Sequence, residues 1–121
     1  MLVVDDDPFM LALYDHALAS WAAPLLLPSA EQALAVIQGG AVFDVVLCDL
    51  ELDGMSGRQL LKELQFEHPV HASRMVIVSG TSASDADASF LRALGDRWLQ
   101  KPVKPFVLQA IVQTIGRVRV D

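Results

Sequence analysis

Four places in the sequence carry groups that could do chemistry together: Asp5-Asp6-Asp7, Asp49, Ser79-Gly80 and Lys101-Pro102. Each stands at the end of a short strand-like run: Leu2-Val3-Val4, Val45-Val46-Leu47-Cys48, Met75-Val76-Ile77-Val78 and Trp98-Leu99-Gln100. If those runs are neighbours in one sheet, the carboxylates, a hydroxyl and an ammonium meet at one edge of it. Three close carboxylates repel one another and raise each other's pKa unless a cation is present. A hard divalent ion resolves the conflict, and an all-oxygen donor set selects Mg²⁺ over softer metals. Asp49, at the centre of the group, can then attack phosphorus as a nucleophile. The metal, Lys101 and the Ser79 hydroxyl would offset charge on the phosphoryl oxygens.

The elements that must position these groups follow from periodicity. Strands are expected at residues 2–5, 24–27, 44–48, 74–78 and 97–100, and helices at about 8–21, 30–38, 57–66, 84–94 and 105–119. The third and fourth strands are apolar almost throughout, as in a parallel sheet covered on both faces. Each helix carries an apolar stripe: Leu13 with Ala17, Ala33 with Leu34 and Ile37, Leu60 with Leu61 and Leu64, Leu91 with Leu94, and Ile111 with Ile115 and Val118. Pro8 and Pro105 stand where proline opens a helix, and Asp7, Ser29 and Ser56 are N-cap candidates. Alternating βα units predict an α/β fold: a doubly wound five-stranded parallel sheet, flavodoxin-like order 2-1-3-4-5, with five helices on two faces. Ligands in such folds bind outside the carboxyl ends of the strands, where the four groups lie.

With 121 residues and 53% hydrophobic content, the chain reads as one domain over 1–121 with ample core. A net charge of −6, with nine scattered Lys and Arg, argues against direct nucleic-acid binding. The single Cys48 has no disulfide partner, and no apolar run approaches the roughly 18 residues that span a bilayer, so a cytoplasmic location is expected. Trp21 reads as a packing residue, and His68-Pro69 falls in an expected loop, so the histidines read as surface groups. The acidic stretch at 83–88 complements the start of the fourth helix.

Together, Leu2-Val3-Val4-Asp5-Asp6-Asp7-Pro8, Asp44-Val45-Val46-Leu47-Cys48-Asp49-Leu50 with Gly54-Met55-Ser56-Gly57, Val76-Ile77-Val78-Ser79-Gly80 and Trp98-Leu99-Gln100-Lys101-Pro102 resemble the response regulator receiver domain of two-component (His-Asp phosphorelay) signalling. The resemblance covers essentially the whole chain. It implies that Asp5 and Asp6 hold Mg²⁺, that Asp49 is the phosphoacceptor and a further metal ligand, and that Glu51 lends a backbone carbonyl to the metal. It makes Ser79 the switch hydroxyl, Lys101 the phosphate-pairing lysine, and Trp98 an aromatic whose rotamer changes on activation. The implied partners are a histidine kinase or histidine phosphotransfer protein and a downstream effector or fused output domain. Signalling would run through the surface of the fourth helix, fifth strand and fifth helix, where a phosphorylation-dependent homodimer could also form. Two departures flank the acceptor: Asp53 where the family usually has proline, and Glu51 where a neutral or polar residue is commoner. Glu51, with Thr81, is expected to shape access to the site.

Three rivals are weaker. A phosphatase of the haloacid dehalogenase type would need an Asp as general acid where Glu51 stands, and a cap domain. A degenerate receiver acting only as a protein-interaction module would have lost the acceptor or the acidic pair. A flavin-binding relative is opposed by the acidic loop after the first strand, which repels phosphate. The expected role is therefore a signalling domain that catalyses its own phosphotransfer and autodephosphorylation, rather than a turnover enzyme. The span from first strand to last helix fits a single-domain regulator or a receiver cut from a longer protein.

Overall fold

The computed structural model describes residues 1–19, 22–80 and 85–119, and the side chains of these except 85–86 and 116–119. The elements run β1 (Leu2–Val4), α1 (Pro8–Leu18), β2 (Leu25–Leu27), α2 (Ala30–Gln38), β3 (Val46–Asp49), α3 (Gly57–Glu67), α4 (Pro69–Ser73), β4 (Met75–Ser79), α5 (Asp85–Ala93), β5 (Trp98–Gln100) and α6 (Pro105–Arg119). All strand pairs are parallel, in the order β2-β1-β3-β4-β5. The expected sheet is therefore the observed one.

Side chains alternate across the pleat and split the core in two. Leu2, Val4, Val46, Cys48, Met75 and Ile77 pack with Ala33 and Ile37 of α2, Leu60, Leu61 and Leu64 of α3, and Leu91 of α5. Val3, Leu47, Val76 and Val78 face the other way, onto Tyr14 and Leu18 of α1 and Leu108 and Val112 of α6. Helix starts obey the local chemistry. Asp7 caps α1 by accepting from the Phe9 N–H, Ser29 caps α2, and Ser56 forms a capping box with Gln59 at α3. Pro8 and Pro105 open α1 and α6.

The differences from expectation are physical. β3 and β4 each run one residue later than the apolar pattern, because the ladder continues through Asp49, which sits opposite Val78, and Ser79, which sits opposite Gln100. A sixth helix, α4, fills the expected loop after Pro69. It is anchored by the Arg97 guanidinium, which donates to the Ala72 carbonyl at 2.8 Å. His71 lies on it and is buried, its Nε2 accepting from the Phe43 N–H at 3.2 Å, so the surface reading of that histidine is corrected. On α1 the buried face carries Tyr14 and Leu18, whereas Leu13 is 47% exposed. Met10, Leu11, Leu13 and Tyr14 make that helix apolar nearly all round, so the pattern does not select a face. On α6 the deepest residues are Leu108 and Val112, with Ile111 and Ile115 partly buried beside them. Trp21, Thr81, Ser84 and the Val118 side chain lie outside the described residues. Among the described residues no helix is long and apolar enough to cross a membrane.

Candidate functional site

Four of the singled-out residues meet at the carboxyl edge of β1, β3 and β5. Asp5 extends β1, its N–H donating to the Leu27 carbonyl at 3.1 Å, and is 1% exposed. Its Oδ1 accepts from the Asp7 N–H at 2.9 Å. Asp49 closes β3 and is 6% exposed; its Oδ1 accepts from the Glu51 N–H at 3.2 Å. Lys101 is carried over by the next ladder bond, its N–H donating to the Ser79 carbonyl at 2.8 Å. Its ammonium stands 2.9 Å from Asp49 Oδ2 and 3.5 Å from Asp5 Oδ2. Gly57 is required here, since a Cβ would run into the Asp49 carbonyl oxygen. The first turn of α3 therefore lies directly against the acceptor's backbone.

One ammonium does not balance this much negative charge. Burial, and the charge of Asp49, push the Asp5 carboxyl above its ordinary value, against the Asp7 N–H and Lys101, which pull it down. Burial alone would lower Lys101, but its hydrogen bond to Asp49 and the charges of Asp49 and Asp5 raise it on balance. The excess charge reaches into the core: the Tyr14 hydroxyl is pushed up by burial first and then by Asp5 and Asp49. Burial and the same two carboxylates raise the Cys48 thiol, which excludes a reactive thiolate. One oxygen from each of Asp5, Asp6 and Asp49 lies within 4.8 Å of the others. An all-carboxylate cluster with unbalanced charge fits a hard divalent cation such as Mg²⁺.

Ser79 is fully buried at the end of β4, but its hydroxyl donates to the Gly80 carbonyl at 3.2 Å. No hydrogen bond among the described residues joins it to the carboxylates. Trp98 is half-buried, lies opposite Ile77 in the sheet and packs on the α2–α5 side of the core. Its register partner Ile77 lies two residues before Ser79, which pairs with Gln100. Glu51 is exposed beside the acceptor.

Several contributors escaped sequence reasoning. The Glu31 carboxylate, in the first turn of α2, accepts from the Met55 N–H at 3.2 Å. Gly54, with φ +76°, leaves room for that carboxylate, which a Cβ would meet. Asp6 Oδ2 accepts from the Asp53 N–H at 3.0 Å. Arg58 joins α3 to α5, its guanidinium 3.8 Å from Asp87 and 5.1 Å from the Phe90 ring centre. Backbone donors leave no mark in a sequence, and a Glu in a first turn is usual for dipole reasons alone.

Comparison with known proteins agrees with this arrangement. Residues 1–113 match the family model of the response regulator receiver domain. The chain is 27% identical over 119 residues to the cyclic di-GMP phosphodiesterase RocR of Pseudomonas aeruginosa, covering 97% of this chain and 30% of that protein. It is 28% identical over 118 residues to the heme response regulator HssR of Staphylococcus aureus, covering 97% of this chain and 50% of that protein. The chain thus spans half or less of the length of these relatives. A response regulator receiver domain from Clostridium thermocellum superposes with a TM-score of 0.84 at 22% identity, covering 98% of this chain and 94% of the other. The five-stranded order, the acidic cluster at its carboxyl edge and a family match over nearly the whole length lead to one conclusion: the chain belongs to the response regulator receiver domain family.

Proposed function

We propose that this receiver is a phosphorylation-dependent signalling switch in which Asp49, with Mg²⁺, takes a phosphoryl group from the phosphohistidine of a histidine kinase or histidine phosphotransfer protein. The observation that carries the reading is the setting of Asp49: nearly buried, 2.9 Å from the Lys101 ammonium, and grouped with Asp5 and Asp6 within 4.8 Å. A carboxylate oxygen of Asp49 attacks phosphorus, a P–O bond forms as the P–N bond to the donor imidazole breaks, and the departing nitrogen keeps the electron pair. Mg²⁺ held by Asp5, Asp6, Asp49 and the Glu51 carbonyl would neutralise charge on the phosphoryl oxygens. Lys101, already paired to Asp49, follows that charge onto the phosphoryl group. In autodephosphorylation water attacks the same phosphorus, the P–O bond to Asp49 breaks and inorganic phosphate leaves with the Asp49 carboxylate restored, so the domain is a self-acting switch rather than a turnover enzyme.

The output follows from Ser79. Its hydroxyl now rests on the Gly80 carbonyl and has no bond to the acidic cluster among the described residues. Drawn onto a phosphoryl oxygen, it would vacate space into which the half-buried Trp98 can move, remodelling the α5–β5–α6 surface. A downstream effector or fused output domain would read that surface, and a phosphorylation-dependent homodimer could form on it. RocR and HssR, a phosphodiesterase and a heme response regulator by name, support an output supplied by another domain or protein. The test is an NMR shift map with beryllium fluoride as phosphoryl mimic. We expect binding only when Mg²⁺ is present, with shifts at Ser79, Trp98, α5 and α6; shifts confined to α1 and α2 would contradict the reading.

A further inference from the structure

Between β3 and α3, every second backbone amide from residue 51 to 55 is held by a carboxylate from a different element. The Glu51 N–H donates to Asp49 Oδ1 at 3.2 Å, the Asp53 N–H to Asp6 Oδ2 at 3.0 Å and the Met55 N–H to Glu31 Oε2 at 3.2 Å. The acceptors come from β3, the loop between β1 and α1, and the first turn of α2. The first two bonds end on the acidic cluster, at Asp49 and Asp6, and the middle one reaches a carboxylate from outside β3. Asp6 is only half-buried, so its side chain has rotamers to lose, unlike that of buried Asp5. Asp53 stands where the family resemblance leads one to expect proline, which has no N–H to give. The donor therefore exists because of this chain's own departure at position 53.

We propose that Asp53 is a positioning residue for the cation, acting through its backbone N–H on Asp6 rather than through its exposed side chain. The bond holds the Asp6 carboxylate beside Asp5 and Asp49 before an ion arrives. The ordering cost is then met in folding instead of in ion binding. The same bond joins the β3–α3 loop, which carries Glu51 next to the acceptor, to the loop between β1 and α1, so loop and carboxylate cluster are set as one unit. The proposal deepens the functional reading above and rests on it.

The test is isothermal titration of the whole chain with Mg²⁺, comparing wild type, Asp53→Ala and Asp53→Pro. Both variants remove the side-chain carboxylate, and only proline removes the N–H. Asp53→Pro is expected to bind Mg²⁺ about three- to tenfold more weakly than Asp53→Ala, the cost of ordering one carboxylate side chain on binding instead of in folding. Affinities equal within about twofold, or tighter binding by Asp53→Pro, would overturn the proposal. Amide exchange on the wild-type protein without Mg²⁺ gives a second reading that needs no variant to fold. The Asp53 N–H should exchange more slowly than that of Gly54, and equal rates would also overturn it. Failure of the wild type itself to bind Mg²⁺ would remove the functional reading and this one with it. Normal wild-type binding with no difference between the two variants would remove this one alone.

Discussion

Lys101→Met should destabilise the cation-free protein strongly, and Mg²⁺ should return most of the loss. Lys101 is the one ammonium found within ion-pair distance of the acidic cluster among the described residues, at 2.9 Å from Asp49 Oδ2 and 3.5 Å from Asp5 Oδ2. With an effective dielectric near 20, the two attractions are about 6 and about 5 kcal/mol. The lysine side chain is 26% exposed, so solvent screening and the desolvation of the pair cancel much of that sum. Breaking a buried pair while leaving its carboxylates in place costs about 3–5 kcal/mol, and the partial exposure reduces this to about 2–4 kcal/mol. For a domain of this size that is a fall in Tm of roughly 8–16 °C. The loss should grow as pH rises through the folded value of Asp5, because protonation of that carboxyl, raised by burial, relieves the repulsion in acid. Thermal and urea unfolding of both proteins, in chelator and in excess Mg²⁺, measures each quantity. A Lys101→Met protein within about 0.5 kcal/mol of wild type in chelator, or a deficit that Mg²⁺ leaves unchanged, would refute the electrostatic account.

Other outcomes follow from the same site and its surroundings. Asp5→Asn should stabilise the cation-free fold, because a raised carboxyl contributes stability below its unfolded value of 3.8 that is lost as pH rises through the folded value; Mg²⁺-induced thermal shifts should vanish in the same variant. Glu51→Gln should accelerate labelling by acetyl phosphate several-fold at matched Mg²⁺ and ionic strength, since an exposed carboxylate beside Asp49 repels a small anionic donor; equal rates would show that its charge does not reach the donor's path. His71, lowered by burial first and then by Arg74 and His68, stabilises the fold above its unfolded value of 6.5 and loses that contribution as pH falls through the folded value. Urea midpoints of wild type should therefore drop as pH falls from 6.5 through the folded value, and His71→Leu should remove this component of the drop.

Much of this architecture is legible in the sequence, for identifiable reasons. The apolar runs before Asp49 and Ser79 give the sheet, and the residues that end each run give the site, because parallel strands bring their carboxyl ends to one edge. What the pattern misses is where backbone pairing and hydrophobicity part company. Asp49 and Ser79 belong to their strands although apolarity stops one residue earlier. A helix of five residues, Pro69–Ser73, is too short to show a period, so buried His71 looked like a surface residue. On α1, where apolar residues nearly encircle the helix, composition leaves the buried face open between the Leu13 row and the Tyr14 row. The bond from Asp53 to Asp6 spans 47 positions and uses a backbone donor, so no residue type advertises it.

The central claim is that Asp49 is the acceptor, and intact-mass spectrometry after exposure to a phosphodonor tests it most directly. Wild-type protein with Mg²⁺ should gain one phosphoryl group, the same protein in chelator should gain none, and Asp49→Asn should remain folded and unlabelled. A single phosphoryl adduct on Asp49→Asn under the same conditions would contradict the assignment.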